Sequence, residues 1–265
     1  MGKDKLRKFA ENATFRCMVQ PSLEEVLHAD HPLKGRWAAD FFHNDHPIVL
    51  ELGCGKGDYT VALALRNPEV NYIGVDIKGA RMWKGAKFAE QNGLQNVAFL
   101  RTRIEFITSL FGPAEVSELW ITFADPQIGR EKKRLTSPLF LARYAGFLTP
   151  GGRIRLKTDS RYLYEYTLAL CRANSLPVSF STIDLYSLRP AEGGHAPSSA
   201  PPAVDPALFE VQTFYEKHFL AQGYSICYLE YSLPADSAQK IHSPEWDENR
   251  WKDENHHAFV IQVHQ

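Results

Sequence analysis

The feature that most constrains the fold of this chain is a glycine-rich loop between two short apolar runs. The first run, Ile48–Leu52, has the length and composition of a buried strand. Three alternate glycines follow it, Gly53, Gly55 and Gly57, and a helix-like stretch comes next. Because glycine lacks a Cβ atom, the chain can turn sharply there and a ligand can lie against the backbone. A second apolar run ends at Asp76, which predicts a β-α-β unit that binds a nucleotide-like ligand.

The acids around this loop indicate what kind of ligand it takes. Asp76 lies about twenty residues after the glycines, where a carboxylate can accept hydrogen bonds from both hydroxyls of a ribose. A dinucleotide loop has the spacing Gly-x-Gly-x-x-Gly and binds a pyrophosphate, whereas this loop has Gly-x-Gly-x-Gly between Glu51 and Asp58. Carboxylates repel a pyrophosphate but suit the sulfonium and ammonium groups of S-adenosylmethionine. The loop therefore favours S-adenosylmethionine, with a dinucleotide loop and a ligand-free turn as the alternatives.

Composition and charge favour a single enzyme domain without a membrane segment. Of the 265 residues, 44% are hydrophobic and 23% are charged, and the net charge is −1, which is ordinary for a globular protein. The chain has no apolar run long enough to span a bilayer and no apolar signal-peptide core, so we expect a cytoplasmic protein. Its four cysteines are scattered, which predicts neither a disulfide framework nor a metal site.

Alternating strand and helix patterns predict an α/β fold. We interpret residues 1–44 as a basic N-terminal arm with short helices and residues 45–265 as the main domain, with a flexible loop at 190–206. The alternation predicts a seven-stranded, mostly parallel sheet with helices on both faces and one antiparallel edge strand. The last two apolar runs, Tyr224–Leu233 and Ala258–His264, are expected to form that antiparallel pair because only a loop separates them.

Two further acids follow predicted strands and are therefore expected at the same edge of the sheet. Asp125 and Pro126 end the fourth strand, and Asp159 follows the fifth. Ligands of open α/β sheets bind at the carboxyl ends of the strands. Asp125 should therefore lie beside the glycine loop and near the reacting methyl group. A simple strand-ending turn is the alternative interpretation of the Asp-Pro pair.

The near-zero net charge hides three basic clusters. Residues 130–134 contain four cations and one acid, residues 78–87 contain four cations and no acid, and residues 1–16 contain five cations and two acids. Each cluster alone is typical of a solvated face. Two of them flank the predicted methyl-transfer cleft, however, and this arrangement favours a polyanionic substrate such as RNA.

A series of motifs occurs in one order along residues 45–232. They are Leu-Glu-Leu-Gly-Cys-Gly-Lys-Gly, Tyr-Ile-Gly-Val-Asp, Arg-Met-Trp-Lys-Gly-Ala-Lys, Phe-Ala-Asp-Pro, Lys-Arg-Leu-Thr, Lys-Thr-Asp and Thr-Phe-Tyr-Glu. With these motifs the chain resembles the bacterial tRNA (guanine-N7-)-methyltransferase family. The resemblance implies a Rossmann-like class I methyltransferase fold, S-adenosylmethionine as methyl donor, tRNA as partner and no metal. The implied reaction is methylation of N7 of a guanine in the tRNA variable loop.

The resemblance also implies roles for individual residues. The implied cofactor-binding residues are Glu51, Gly53, Gly55, Gly57, Asp76, Arg103 and Asp125. Asp125 is also the implied catalytic residue, next to both cofactor and target base. The implied substrate-binding residues are Arg130, Lys132, Asp159, Thr213 and Glu216.

Two positions depart from the family pattern. Many members have a lysine after the Asp-Pro motif that contacts the substrate, and Gly129 stands there in this chain, so Arg130 or Lys132 is expected to substitute. Many members also have an aspartate that contacts the adenine, and Arg103 stands in its place. At the substrate side, the spacing of Thr213 and Glu216 is also that of a helix capping box.

Two other functions stay open at this point. A class I methyltransferase acting on another RNA, a small molecule or a protein would keep Glu51 and Asp76 but would not need the basic clusters. A non-catalytic tRNA-binding protein would keep those clusters and could lose the cofactor contacts, although the intact glycine loop argues against it. We expect a monomer or homodimer without an obligate protein partner.

Overall fold

The structure, a computed structural model, describes residues 2–189, 204–234 and 240–251, and in this part of the chain eight strands form one sheet. The strands are β1 Met18–Val19, β2 Ile48–Leu52, β3 Asn71–Asp76, β4 Val97–Arg101, β5 Val116–Thr122, β6 Leu148–Thr158, β7 Val178–Thr182 and β8 Cys227–Ser232. The α-helices are α1 Gly2–Asn12, α2 Leu23–Leu27, α3 Asp58–Arg66, α4 Gly79–Gln91, α5 Pro138–Ala145, α6 Arg161–Ala173, α7 Ala207–Glu210 and α8 Phe214–Ala221. Shorter turns of other helix types lie at Trp37–Phe42, Ile104–Ser109, Glu131–Lys133 and Tyr186–Leu188.

The strand order in the sheet is β1-β4-β3-β2-β5-β6-β8-β7. Neighbouring strands are parallel except at β8, which is antiparallel to both β6 and β7. The predicted α/β fold is confirmed, with eight described strands instead of seven. The reversed strand lies one position in from the edge, because Val178–Thr182 forms an outer strand that the sequence analysis did not predict. The run Ala258–His264 lies outside the described residues, as do residues 190–203 of the predicted flexible loop.

The core lies on both faces of the sheet. Successive strand residues point to opposite faces, so Leu50 packs into one apolar cluster while its neighbour Val49 packs into the other. Leu163 of α6 belongs to the first cluster, and Met82 of α4 belongs to the second. Helices therefore cover both faces, which explains why the central strands are continuous apolar runs rather than alternating ones.

The N-terminal residues are packed against the sheet domain. β1 pairs with β4 at one edge of the sheet, and α1 lies on α4. Asn12, which is fully buried, donates its amide nitrogen to Gly79 O at 2.9 Å, and Trp83 Nε1 donates to Glu11 at 2.9 Å. The basic stretch at the start of the chain is thus a helix with one side turned to the protein. No helix in the described residues is both long enough and apolar enough to cross a membrane.

The order of the strands fixes where a ligand can bind. The chain passes from β2 outward to β3 and β4, and then crosses back to β5 on the other side of β2. The connections therefore diverge between β2 and β5, and such a switch point opens a crevice at the carboxyl ends of the strands. The glycine loop (residues 53–57) follows β2, and the Asp125 loop (residues 123–129) follows β5. The topology places these two loops side by side.

Candidate active site

The glycine loop turns through the left-handed region of backbone space at all three of its glycines. The φ angles are +77° at Gly53, +56° at Gly55 and +74° at Gly57, and other residues rarely adopt such values. Gly53 donates its amide to Val75 O at 2.8 Å, so the loop lies against the end of β3. The alternate glycines are therefore required by the turn itself.

Asp76 binds the glycine loop from the end of β3. Its Oδ2 accepts the Gly55 amide at 2.9 Å, and its Oδ1 accepts the Lys78 amide at 2.8 Å. An ionised carboxylate has about four acceptor positions, so each oxygen retains acceptor capacity. Asp76 can thus shape the loop and still accept hydrogen bonds from a ligand in the crevice.

A cleft of about 300 Å³ opens beside Asp76. Gly53 and Thr102 contribute to its walls, and apolar side chains close it from several directions: Ile77, Ile104, Leu135 and Phe140. Arg103 also lines the cleft, but its guanidinium pairs with Glu105 at 3.1 Å. The cleft thus combines an apolar lining with a few charged side chains, among them the carboxylates of Asp76 and Glu105, and such a combination is typical of small-molecule sites.

Gly57 is the glycine of this loop with the least space around it. A Cβ atom there would lie 2.5 Å from Cε1 of Phe99, which is fully buried. We expect Gly57→Ala to lower the free energy of unfolding by about 2–5 kcal/mol, because the left-handed backbone costs about 1–2 kcal/mol and overpacking costs about 1–3 kcal/mol. Gly93→Ala is the matched control, since Gly93 has a φ of +62° but nothing within 4 Å of its Cβ position. Equal losses in urea unfolding would contradict the steric argument.

Glu51 faces the interior, where it connects the elements that carry the two loops. The side chain is buried, and its Oε2 accepts the Thr60 amide at 2.9 Å and the Thr60 hydroxyl at 2.5 Å. Its Oε1 accepts the Thr122 hydroxyl at 2.8 Å. Thr60 lies in the first turn of α3, and Thr122 ends β5 just before the Asp125 loop. Glu51 therefore fixes the position of the glycine loop relative to the Asp125 loop. Its implied contact with a cofactor stays a prediction.

Burial raises the pKa of Glu51 to about 7, although the hydrogen bonds from Thr60 and Thr122 act in the opposite direction. The folded protein thus binds a proton at Glu51 that the unfolded chain has already lost, so this group makes stability fall as pH rises from about 4.5 through 7. Glu51→Gln should remove this dependence, because a glutamine can accept from Thr60 and donate to Thr122 without ionising. We expect the variant to gain stability relative to the wild type in urea unfolding between about pH 5 and about pH 8. Parallel pH profiles for the two proteins would contradict the assignment.

The Asp125 loop has an unusual backbone. Phe123 and Gln127 each have a φ of +51°, which non-glycine residues rarely adopt. Asp125 Oδ1 accepts the Gln127 amide at 2.9 Å, and the Phe123 amide donates to Lys157 O at 2.9 Å. Backbone strain of this kind persists only where the surrounding structure determines it, and it clusters at active sites. Asp125 itself is exposed, so a substrate can reach it.

Arg134 holds this strained loop in place, and the sequence analysis missed it. The side chain is fully buried and donates from Nε to Pro126 O at 2.9 Å and from Nη2 to Gln127 O at 3.1 Å. Its guanidinium lies 3.9 Å from the ring centroid of Tyr166 and 4.8 Å from that of Tyr162. The sequence analysis counted Arg134 only as one cation of a basic cluster. The Lys-Arg-Leu-Thr motif was the signal that could have distinguished it.

The other cations of that cluster are arranged differently. Arg130 and Lys132 are exposed at the short helical turn Glu131–Lys133. Lys133, which was not among the predicted site residues, lines the cleft beside Asp76. The structure thus places Lys133 at the cleft, and the predicted roles of Arg130 and Lys132 in substrate binding stay predictions.

Asp159 follows β6 at the same edge of the sheet and is half-buried. The next residue, Ser160, caps α6 by accepting the Leu163 amide at 3.1 Å. Asp159 therefore stands between the carboxyl end of a strand and the start of a helix, on the far side of β5 from the glycine loop. The predicted substrate contact of Asp159 stays a prediction.

Thr213 and Glu216 form the capping box of α8. Thr213 Oγ1 accepts the Glu216 amide at 3.1 Å, and Glu216 Oε2 accepts the Thr213 amide at 3.3 Å. Glu216 is fully buried, and its Oε1 accepts from Lys157 at 2.5 Å and from Tyr186 at 2.7 Å. The described partners of Glu216 are thus protein groups, and the predicted substrate contacts of Thr213 and Glu216 stay predictions.

The carboxyl edge of the sheet brings most of the predicted site together. The glycine loop, Asp76, Arg103, Asp125 and Asp159 all lie along it, whereas Glu51 and Glu216 are buried behind it. In the described ranges, no three histidine, cysteine or acidic side chains are grouped as a metal site would require.

Comparisons with known proteins agree with this geometry. Residues 45–191 match a family model described as "Putative methyltransferase". The chain is 47% identical over 233 residues to a tRNA (guanine-N(7)-)-methyltransferase from Christiangramia forsetii, a match that covers 87% of this chain and 98% of the relative. It is 52% identical over 202 residues to the enzyme of the same name from Porphyromonas gingivalis, covering 76% and 78%. The fold is similar to a solved antibiotic-related methyltransferase, with a TM-score of 0.51 and 16% identity over 73% of this chain and 90% of that one.

Proposed function

Because this chain belongs to the tRNA (guanine-N(7)-)-methyltransferase family, we propose that its carboxyl-edge site methylates N7 of a guanine in the tRNA variable loop. The reaction of the family, transfer of a methyl group from S-adenosylmethionine to tRNA guanine N7, is the activity of this protein. Our proposal goes one step further and places the methylated guanine in the variable loop of the tRNA. The observation that carries the site assignment is the exposed Asp125 on a strained loop beside the glycine loop.

The cofactor is proposed to lie along the glycine loop and in the cleft beside Asp76. The remaining acceptor capacity of Asp76 suits the ribose hydroxyls, and Ile104 and Phe140 offer apolar surface to the adenine. Gly53, which also lines the cleft, lets the ligand approach the backbone because it has no Cβ. S-adenosylmethionine, when bound there, supplies an electrophilic methyl group.

Asp125 is proposed to orient the guanine and to stabilise the product. Guanine N7 has a lone pair and no proton to lose, so no general base is required, and positioning of the two reactants accounts for most of the catalysis. The methylated base is a cation. An exposed carboxylate on a rigid loop can accept hydrogen bonds from the N1 and N2 donors of guanine and stabilise the developing positive charge.

The target base must leave the stack to be reached. N7 faces the deep major groove of an RNA helix, which side chains enter poorly, so an unstacked or loop-exposed guanine fits this site best. We propose that three cations bind the phosphates on either side of that guanine: Lys133, which lines the cleft beside Asp76, and its exposed neighbours Arg130 and Lys132.

Two transcripts test the position of the methylated base. One is an unmodified tRNA with its variable-loop guanine, and the other differs only by adenine at that nucleotide. With labelled S-adenosylmethionine, the account predicts 7-methylguanosine in the first transcript and none in the second. Equal label in both transcripts would overturn the variable-loop assignment, and label in neither would move the substrate to another RNA, a small molecule or a protein.

A further inference from the structure

Residues 240–251, called here the C-terminal segment, pack against α6 and reach the Asp125 loop at Gly129. Asn174, at the end of α6, forms two hydrogen bonds with the backbone of His242, both of 2.8 Å. Further along, Trp246 contacts the rings of Tyr162 and Tyr166 edge-on, with centroids 5.7 and 5.6 Å apart. The segment is therefore bound to α6 by polar contacts at one point and by aromatic contacts at another.

The aromatic contacts extend to the end of the segment. Trp251 stacks on Trp246 with centroids 5.9 Å apart and an interplanar angle of 11°, and it also contacts Tyr162 edge-on at 5.9 Å. Tyr162 and Tyr166 are the two rings that lie against the Arg134 guanidinium. The C-terminal segment thus packs on the two tyrosine rings that contact Arg134.

Glu248 is the residue of this segment that reaches the site. Its Oε1 accepts from Arg134 Nη2 at 3.0 Å and from the Tyr162 hydroxyl at 2.7 Å. Among the described residues it is the one carboxylate that pairs with Arg134. Its Oε2 lies 3.8 Å from the Cβ position of Gly129, so the carboxylate also lies against the Asp125 loop itself.

These contacts connect Glu248 to Asp125 in three steps. Glu248 fixes the guanidinium of Arg134, Arg134 donates to Pro126 O and Gln127 O, and the Gln127 amide donates to Asp125 Oδ1. Arg134 is fully buried, so water does not replace these partners of its guanidinium. Gln127 has a left-handed backbone, which persists only where contacts with neighbouring residues maintain it.

We propose that Glu248 is a positioning residue for methyl transfer, through which the C-terminal segment fixes the Asp125 loop in its reactive geometry. The proposal rests on the proposed function for the identity of the reaction. It also explains how the Asp125 loop keeps its conformation with glycine at position 129. The carboxylate of Glu248 lies beside Gly129 and binds the Arg134 guanidinium. A purely structural segment would pack on α6 without contacting the guanidinium that carries the loop.

The test compares Glu248→Gln with Glu245→Gln in the full-length protein. Glu245 is an exposed acid of the same segment and is the matched control. We expect Glu248→Gln to lower kcat on unmodified tRNA about tenfold. The Kd for S-adenosylmethionine should stay within about twofold of the wild type. Tyr162→Phe removes one of the two hydrogen bonds to Glu248 and should lower kcat by a smaller factor.

The readout separates positioning from a loss of folded protein. A merely structural role would lower the fraction of protein that binds S-adenosylmethionine in parallel with kcat, whereas positioning lowers kcat per binding-competent site. If Glu248→Gln and Tyr162→Phe both match the Glu245→Gln control in kcat per site, the proposal is wrong. A wild-type protein that forms no 7-methylguanosine would instead overturn the proposed function, so the two failures are distinguishable.

Discussion

Asp125→Asn is expected to lower kcat for tRNA methylation by about a hundredfold or more, while the Kd for S-adenosylmethionine stays within about twofold. Loss of one preorganised electrostatic group at a reacting centre typically costs about 10²–10³ in rate. Asparagine keeps an oxygen that can accept the Gln127 amide, so the 2.9 Å hydrogen bond within the loop is retained while the charge is removed. Because Asp125 is exposed, the substitution leaves the core intact.

The measurement for Asp125→Asn is single-turnover methylation of unmodified tRNA combined with cofactor titration. Asp45→Asn is the matched control, since Asp45 is also an exposed aspartate but precedes β2 at the opposite edge of the sheet. Asp125→Ala should cost at least as much as Asp125→Asn, because it removes the acceptor as well as the charge. Turnover equal to that of the control would exclude Asp125 from the reaction.

Lys157→Met is expected to lower the free energy of unfolding by about 3–5 kcal/mol, the usual cost of leaving a buried charge without its partner. Lys157 and Glu216 are both fully buried and lie 2.5 Å apart. Burial lowers the pKa of Lys157, and the neighbouring Glu216 carboxylate acts in the opposite direction. The lysine also donates to the Tyr59 hydroxyl at 2.5 Å and to Leu208 O at 2.6 Å, so its removal leaves several acceptors unsatisfied.

Urea unfolding of three variants separates the ion pair from the packing of Lys157. Glu216→Gln should lose less than Lys157→Met, because the capping box with Thr213 can still form. The double variant Lys157→Met/Glu216→Gln should recover part of the loss, since no uncompensated charge is left in the core. Additive losses in the double variant, or a Lys157→Met protein within about 1 kcal/mol of the wild type, would contradict the account of the buried pair.

The sequence predicted those parts of the site that depend on local patterns. The strand ending at Leu52, the alternate glycines and the acid at the end of β3 are all adjacent in sequence or separated by one helix, so their spacing determines their geometry. The order of strands and helices likewise predicted a parallel sheet with its acids along one edge. This is why Asp76 and Asp125 are found where the pattern predicts them.

Long-range contacts were the parts that the sequence did not predict. The hydrogen bonds of Glu51 with Thr60 and Thr122 could not be predicted, because Thr122 approaches Glu51 only after β2 and β5 have paired. Glu248 lies more than a hundred residues from Arg134 along the chain. No local period marks such a pair, because the contact exists only once the C-terminal segment lies on α6.

Counting charges along the sequence also overstated how many of the cations are unpaired. In α1, Arg7 and Lys8 pair with Asp4 at 2.7 and 2.8 Å, and Lys87 of α4 pairs with Glu11 at 3.3 Å. Exposed pairs of this kind are worth little to stability, but they reduce the positive field that the sequence count suggests. The cations of residues 130–133 include Lys133, which lines the cleft beside Asp76, and are therefore better candidates for RNA contact than α1.

The measurement that tests the central claim most directly is identification of the labelled nucleoside. The purified protein is incubated with labelled S-adenosylmethionine and unmodified bulk tRNA, and the RNA is then digested to nucleosides. The account predicts label in 7-methylguanosine with the wild-type protein and at least a hundredfold slower labelling with Asp125→Asn. Label in a different nucleoside, or undiminished labelling by Asp125→Asn, would contradict the claim that the Asp125 loop at the carboxyl edge carries out this reaction.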